Sequence, residues 1–340
     1  MKTPDNTVMM DETEFTKLLE LFQPLIKLNH QFLKESRKLF RTAVFKALPS
    51  SVSHQLIRKT LNLSVPAKNS KLKFEIVSNL EDLKNALRLL QNSFEAEGYA
   101  KKTTSGLRLT PYHLLPETIV LVAKEHGQII ATLSVVVHTD FGLPLESSVN
   151  LKNFMKTKER TVEISALAVD TKAAGQRGEV LYNLMKYLYH CNVELLDTKT
   201  QVIGVNPKMV SLYKAILLFK NIPYTKVGSY KFANGAPVVP MYFNLQTAKT
   251  EYGKVYGKKS ARLNLLDFFL LKPSAHFQIP AKDQLLRLLP QNRSEDLQEI
   301  LKWEPTLIKT MSPEQKKSLA KLYATNPKCL AVLKQSGLYA

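Results

Sequence analysis

Cysteine is scarce. The 340 residues hold two, Cys191 and Cys329, far apart and outside any metal-ligand spacing. A disulfide framework and a zinc site are therefore not suggested, and both residues are expected as reduced core thiols. No apolar run approaches the roughly 18 to 20 residues that a membrane-crossing helix needs. The opening stretch MKTPDNTVMMDETEF holds no secretory apolar segment, which makes the cytoplasm the expected compartment. Low-complexity tracts and internal repeats are also missing, so extended disorder is not expected. His113, His126, His138 and His190 are scattered with no triad or ligand spacing, and each reads as structural.

What is present is an ordinary globular composition with a strong charge bias. Hydrophobic residues make up 44% and charged ones 23%, and the length suggests two domains or one with sizeable extensions. Forty-eight Lys and Arg against 29 Asp and Glu give a net charge of +19. Such an excess suits an acidic partner: a nucleic acid, an anionic lipid surface or an acidic protein. The excess is spread as +5 over residues 1–70, +6 over 71–247 and +8 over 248–340. With no basic tail and no RNA-binding motif, nucleic acid is the least favoured of the three.

Residues 1–70 read as a helical N-terminal extension. Asp11 with Glu14 makes a helix cap, and Phe15, Leu18, Leu19 and Phe22 follow at helical spacing, with Pro24 as a kink. The basic continuation QFLKESRKLFRTAVFKAL suits either a solvated helix face or a membrane surface. VPAKNSK at 65–71 reads as a linker.

From residue 71 to 247 strand and helix signals alternate, which argues for an α/β domain. Expected in order are a strand Lys73 to Val77, a helix capped by Asn79, an irregular loop at 95–117, a hairpin around Gly127, and a strand Thr161 to Val169. A helix Val180 to Leu196, a strand TQVIGVN, a helix PKMVSLYKAILLF and two final strands turning at Asn234-Gly235 complete it. TAKTEYGKVYGKKSAR then reads as a connector. The remainder, to 340, is expected to be helical, with SPEQ at 312–315 as a capping box.

The element order resembles that of the GNAT acyltransferase superfamily. Within it, FGLPLESS (141–148), VEISALAV (162–169), the Arg177-Gly178 turn, VNPKMVSLY (205–213) and GAPVVPMYFNL (235–245) look like the long-chain N-acyl amino acid synthases, relatives of the autoinducer synthases. This resemblance covers residues 73 to 245 and implies a mixed, mostly antiparallel twisted sheet flanked by helices. It also implies an acyl-phosphopantetheine donor, carried by acyl carrier protein or, as the lesser choice, by coenzyme A. The acceptor it implies is the amine of an amino acid or small amine. No permanently bound cofactor and no metal follow from it.

Site residues carry over from the resemblance position by position. Glu163 would take the proton of the attacking amine, and Tyr213 would protonate the departing thiolate. Backbone groups of Leu167 and Val169 would hold the pantetheine arm, and Arg177 and Gly178 its phosphate, with Asn206 at the donor site and Lys172 beside it. Val180 and Tyr182 stand where the usual pyrophosphate loop has glycine and a small residue, which favours a single phosphate and hence the carrier protein. Ala166 stands where similar synthases tend to have Arg. Tyr99, Leu107, Leu109 and Tyr112 of the long loop are expected to close the acyl pocket. A degenerate GNAT-like binding or sensing module and a basic nucleic-acid or membrane-surface protein remain open alternatives.

Overall fold

A computed structural model describes residues 49–61, 72–156, 159–170, 177–272 and 277–338. The helix expected from Asp11, its basic continuation, the 65–71 linker and Lys172 lie outside these residues. The chain divides into two units, Met1–Ile57 and Arg58–Ala340. The architecture below is that of the second.

Apolar periodicity builds the centre. The runs IVLVA and QIIATLSVVV become strands β2 (Ile119–Glu125) and β3 (Gln128–Val137), joined by a tight turn in which His126 and Gly127 both take positive φ. Successive residues of both strands are buried, so the sheet is covered on each face. Leu121, Val135 and Val137 enter one core layer with Val162, Leu184 and Tyr187. Val122 and Val136 enter the other with Leu87, Leu114, Ile300 and Tyr323. Each fully buried side chain of this kind contributes about 1.5–3 kcal/mol.

Around that pair the chain adds β1 (Leu72–Ile76), helix α1 (Leu80–Ala96) capped by the Asn79 side chain, and β4 (Thr161–Val169). Then come α2 (Arg177–His190), β5 (Thr200–Val205), α3 (Val210–Ile216), β6 (Lys220–Asn221), β7 (Gly228–Tyr230) and β8 (Ala236–Asn244). The sheet runs β1-β2-β3-β4-β5-β8-β6, with β7 paired to β8. β4 and β5 run parallel, and the remaining named strand pairs are antiparallel. Three strands, rather than the two expected, fill residues 220–244. The turn before β8 is at Asn234 and Gly235, both at positive φ, as expected.

The Lys- and Tyr-rich stretch expected as a connector is instead helix α4 (Ala248–Tyr256). Tyr252 and Tyr256, four residues apart, are buried on one side, while Lys249 and Lys254 face outward. The tyrosines, too sparse to register as a period, decide the structure. Tyr256 Oη donates to the Ile216 carbonyl at 2.8 Å and so fixes the end of α3. Arg58 donates to the neighbouring Ala215 carbonyl at 2.7 Å.

The C-terminal helices α5 (Ser294–Trp303), α6 (Pro313–Leu322) and α7 (Pro327–Gln335) pack on the layer that holds α1. Ser312 and Gln315 form the expected capping box. Cys191 and Cys329 are buried free thiols. A polar seam joins these helices to the segment before β2. Tyr323 Oη lies 2.9 Å from both the Leu114 and the Gln291 carbonyls, and Gln291 Nε2 donates to the Leu115 and Thr118 carbonyls. Tyr323→Phe strands buried acceptors and is expected to lower stability by about 1–3 kcal/mol. Urea denaturation should register that loss, and an unchanged midpoint would show that the seam contributes nothing.

Candidate active site

The site begins with a break in the sheet. β4 and β5 pair at Thr161↔Thr200, Val162↔Gln201 and Glu163↔Val202, and then separate. On its other edge β4 pairs Ser134↔Ser165 but Thr132↔Ala168, so three steps of β4 match two of β3. The additional residue makes a bulge, and Ala166 there takes a φ of 56°, a region that alanine seldom enters. The bulge also ends the simple alternation that would put Ala166 with Val162 and Ile164; Leu167 packs with their layer instead. Beyond it the Asp170 N–H donates to the Ile130 carbonyl at 2.8 Å. Alternation then turns the backbone groups of Leu167 and Val169 away from β3, toward the gap.

A cavity of about 650 Å³ occupies that gap. Ile164 to Val169 line one edge and Ile203 to Asn206 the other. On the α1 side it is bounded by Phe94, Tyr99, Tyr230 and Ala233. On the α2 side its walls are Met185, Leu188, Phe243, Tyr252, Phe269 and Leu270. That far wall is a run of aromatic rings, with Phe243 against Tyr252 at 5.8 Å and Tyr252 against Phe269 at 6.1 Å. The space therefore passes between the strands and opens into an apolar chamber.

Glu163, Leu167, Val169, Asn206 and Tyr213, which lie up to 50 positions apart in the sequence, all line this one cavity. Glu163 is fully buried, between Val136 on β3 and Val202 on β5. Its Oε2 accepts the Leu145 N–H at 2.8 Å and its Oε1 accepts the Tyr230 hydroxyl at 3.1 Å. Burial pushes its carboxyl up from 4.5 to about 8, against the opposing pull of those two hydrogen bonds. The FGLPLESS segment supplies Leu145 through a one-turn helix, Pro144–Ser147, so the two sequence stretches meet at this carboxyl.

Tyr213 projects from α3 with its ring 6.1 Å from Phe219, and burial raises its phenol. It is a neutral hydroxyl at physiological pH. Asn206 caps the turn before α3 by accepting the Lys208 N–H at 3.0 Å, and its Nδ2 reaches Tyr99 Oη at 3.4 Å. Arg177 and Gly178 open α2, with Gly178 exposed, while the 171–176 loop before them lies outside the described residues. Val180 is buried in the core, and Tyr182 stacks on Phe269 at 5.7 Å. Packing therefore accounts for both bulky residues.

Of the long-loop residues expected to close the pocket, Tyr99 lines the cavity. Leu107 is instead buried in the core and Leu109 packs against it. Tyr112 faces a smaller adjoining crevice. Tyr230, which sequence reasoning missed, touches Glu163 directly. It lies on a three-residue strand with no periodic signal. The four named histidines have structural places: His113 is buried and held neutral, its pKa lowered to about 4 by burial, His126 is in a turn, and His138 and His190 face Glu146 and Glu194.

The raised Glu163 carboxyl links stability to pH. Between about 4.5 and about 8 the folded protein keeps a proton that the unfolded chain has released. The stabilisation is therefore complete below that window and declines as pH rises through it. Glu163→Gln cannot titrate and should flatten this decline, as read by denaturation midpoints across the window. Parallel pH profiles for the two proteins would show that Glu163 does not titrate this way.

Residues 85–244 match the family model of the N-acyl amino acid synthase FeeM. Among solved structures, the N-acyl amino acid synthase FeeM from uncultured soil microbes aligns with 17% identity over 53% of this chain and 93% of its own, with a TM-score of 0.45. The AHL synthase LasI aligns with 15% identity over 53% and 95%, TM-score 0.39. An acyl-CoA N-acyltransferase from Pseudomonas aeruginosa aligns with 17% identity over 50% and 98%, TM-score 0.35. No curated protein sequence matches the chain. Residues 85–244, just under half of the chain, are thus similar to the N-acyl amino acid synthase family.

Proposed function

We propose that this domain moves a fatty acyl group from the phosphopantetheine thioester of an acyl carrier protein to the amine of an amino acid or small amine. The observation that carries this reading is the cavity between β4 and β5. It joins a buried carboxyl and a phenol to an apolar chamber. The pantetheine arm carries amides, and the outward-turned backbone groups of Leu167 and Val169 are the partners it would need. The acyl chain continues toward Met185, Phe243 and Phe269.

In the reaction the amine attacks the thioester carbonyl, a C–N bond forms and the C–S bond breaks. Glu163, ionised, removes the proton of the amine directly or through one water, and Tyr213 donates a proton to the thiolate as it leaves. The net transfer is one proton from amine to thiol. A carboxyl titrating near 8 is a stronger base than an ordinary one, so burial improves Glu163 for this step. Tyr213, with its phenol raised, stays protonated until the thiolate forms. The carrier protein, an acidic partner, is favoured over coenzyme A by the net charge of +19.

Single-turnover rates with preformed acyl carrier protein and mixed amines test the reading. Tyr213→Phe, folded, should lose about 10²-fold or more. Glu163→Gln should lose a comparable factor and also the rise of rate with pH toward about 8. A Tyr213→Phe rate within about threefold of wild type, ~0.6 kcal/mol, would be too small for loss of an acid.

A further inference from the structure

Beside the main cavity lies a crevice of about 40 Å³, lined by Phe94, Arg108, Tyr112, Ser165, Ala166 and Tyr230 among others. Phe94, Ser165, Ala166 and Tyr230 line both spaces, so the crevice is a side pocket of the site. Its cation is half-buried Arg108. The Arg108 guanidinium donates to the Phe232 carbonyl and sits 4.5 Å from the centre of the Phe94 ring. Among the described residues no carboxylate pairs with it, and burial lowers its pKa.

A guanidinium carries five N–H donors in a fixed planar fork suited to a carboxylate. One backbone carbonyl and one ring leave most of that capacity unused, and a desolvated cation without an anion is an unfavourable arrangement. Ala166, with only a methyl side chain, lines the same crevice. Tyr230 links the crevice to the chemistry: its hydroxyl donates to Glu163, and its ring lies 6.1 Å from that of Phe232, whose carbonyl holds Arg108. Glu163 and Arg108 are thus linked through Tyr230 and Phe232, the base on the main cavity and the cation on the crevice that adjoins it.

We propose that Arg108 is the residue that anchors the carboxylate of an amino acid acceptor and sets its preference over the corresponding simple amine. This rests on the acyltransfer reading and narrows it. Arg108 is a specificity-determining residue here, and it takes no part in proton transfer.

The test compares leucine with isopentylamine and phenylalanine with phenethylamine as acceptors, each pair differing by the carboxylate, at fixed acyl carrier protein donor. Phosphoethanolamine against ethanolamine forms a third pair. Wild type should favour the amino acids at least about tenfold in kcat/KM. Arg108→Met should raise KM for the amino acids at least about tenfold while leaving kcat and the simple amines nearly unchanged. Arg108→Lys, which keeps the charge and much of the contact with Phe94, should fall between. Equal losses for acids and amines, no preference in wild type, or a preference for phosphoethanolamine over the amino acids would overturn the proposal. Binding of N-dodecanoyl leucine and its methyl ester is measured alongside. If no amine is acylated, the acyltransfer reading fails, and the subsite stands or falls on whether wild type prefers the free acid and Arg108→Met loses that preference.

Discussion

The structure turns on the separation of two parallel strands. β4 and β5 hold together for three pairs and then part where a bulge at Ala166 bends β4. A sheet gains its stability from unbroken ladders, so a gap at its centre leaves backbone donors and acceptors inside the protein with no strand to meet. The groups of Leu167 and Val169 are in that position. Such an arrangement is disfavoured for folding and useful for binding an extended arm rich in amides. The left-handed backbone at Ala166 is the strain that accompanies it.

Everything around the gap keeps it from closing. α2 and the aromatic rings of residues 243–270 fill out one face, and α1 with the C-terminal helices fills the other. Arg58 and Tyr256 pin the end of α3, which carries Tyr213. Tyr230 and the Leu145 N–H hold Glu163. The segments beyond the family match therefore act on the site, because α4 and the turn at 267–271 supply the far wall of the chamber.

Much of the fold was legible in the sequence because period and turn chemistry agreed. The strand Thr161 to Val169 and the hairpin at Gly127 came from alternation, and Asn79, Ser312 and Asn234-Gly235 from caps and turns. Helix α4 was missed because two tyrosines among lysines and glycines do not make a period. The bulge was illegible, since nothing in SALAV marks an alanine that will take positive φ. Glu163 and Tyr213 were singled out by resemblance, and the structure adds their shared cavity. Tyr230 and Arg108 gain their interest through contacts between distant segments, which no local pattern records. Leu107 and Leu109 were misplaced for a related reason: in an irregular loop, composition does not distinguish a residue facing the core from one facing a pocket.

A crystal structure with a non-hydrolysable thioether analogue of an acyl phosphopantetheine tests directly whether the gap between β4 and β5 receives the thioester arm. The arm is expected to be hydrogen-bonded to the Leu167 and Val169 backbone, with the sulfur beside Tyr213 and the chain running toward Phe269. An arm bound elsewhere, or a chain left outside the apolar chamber, would contradict it.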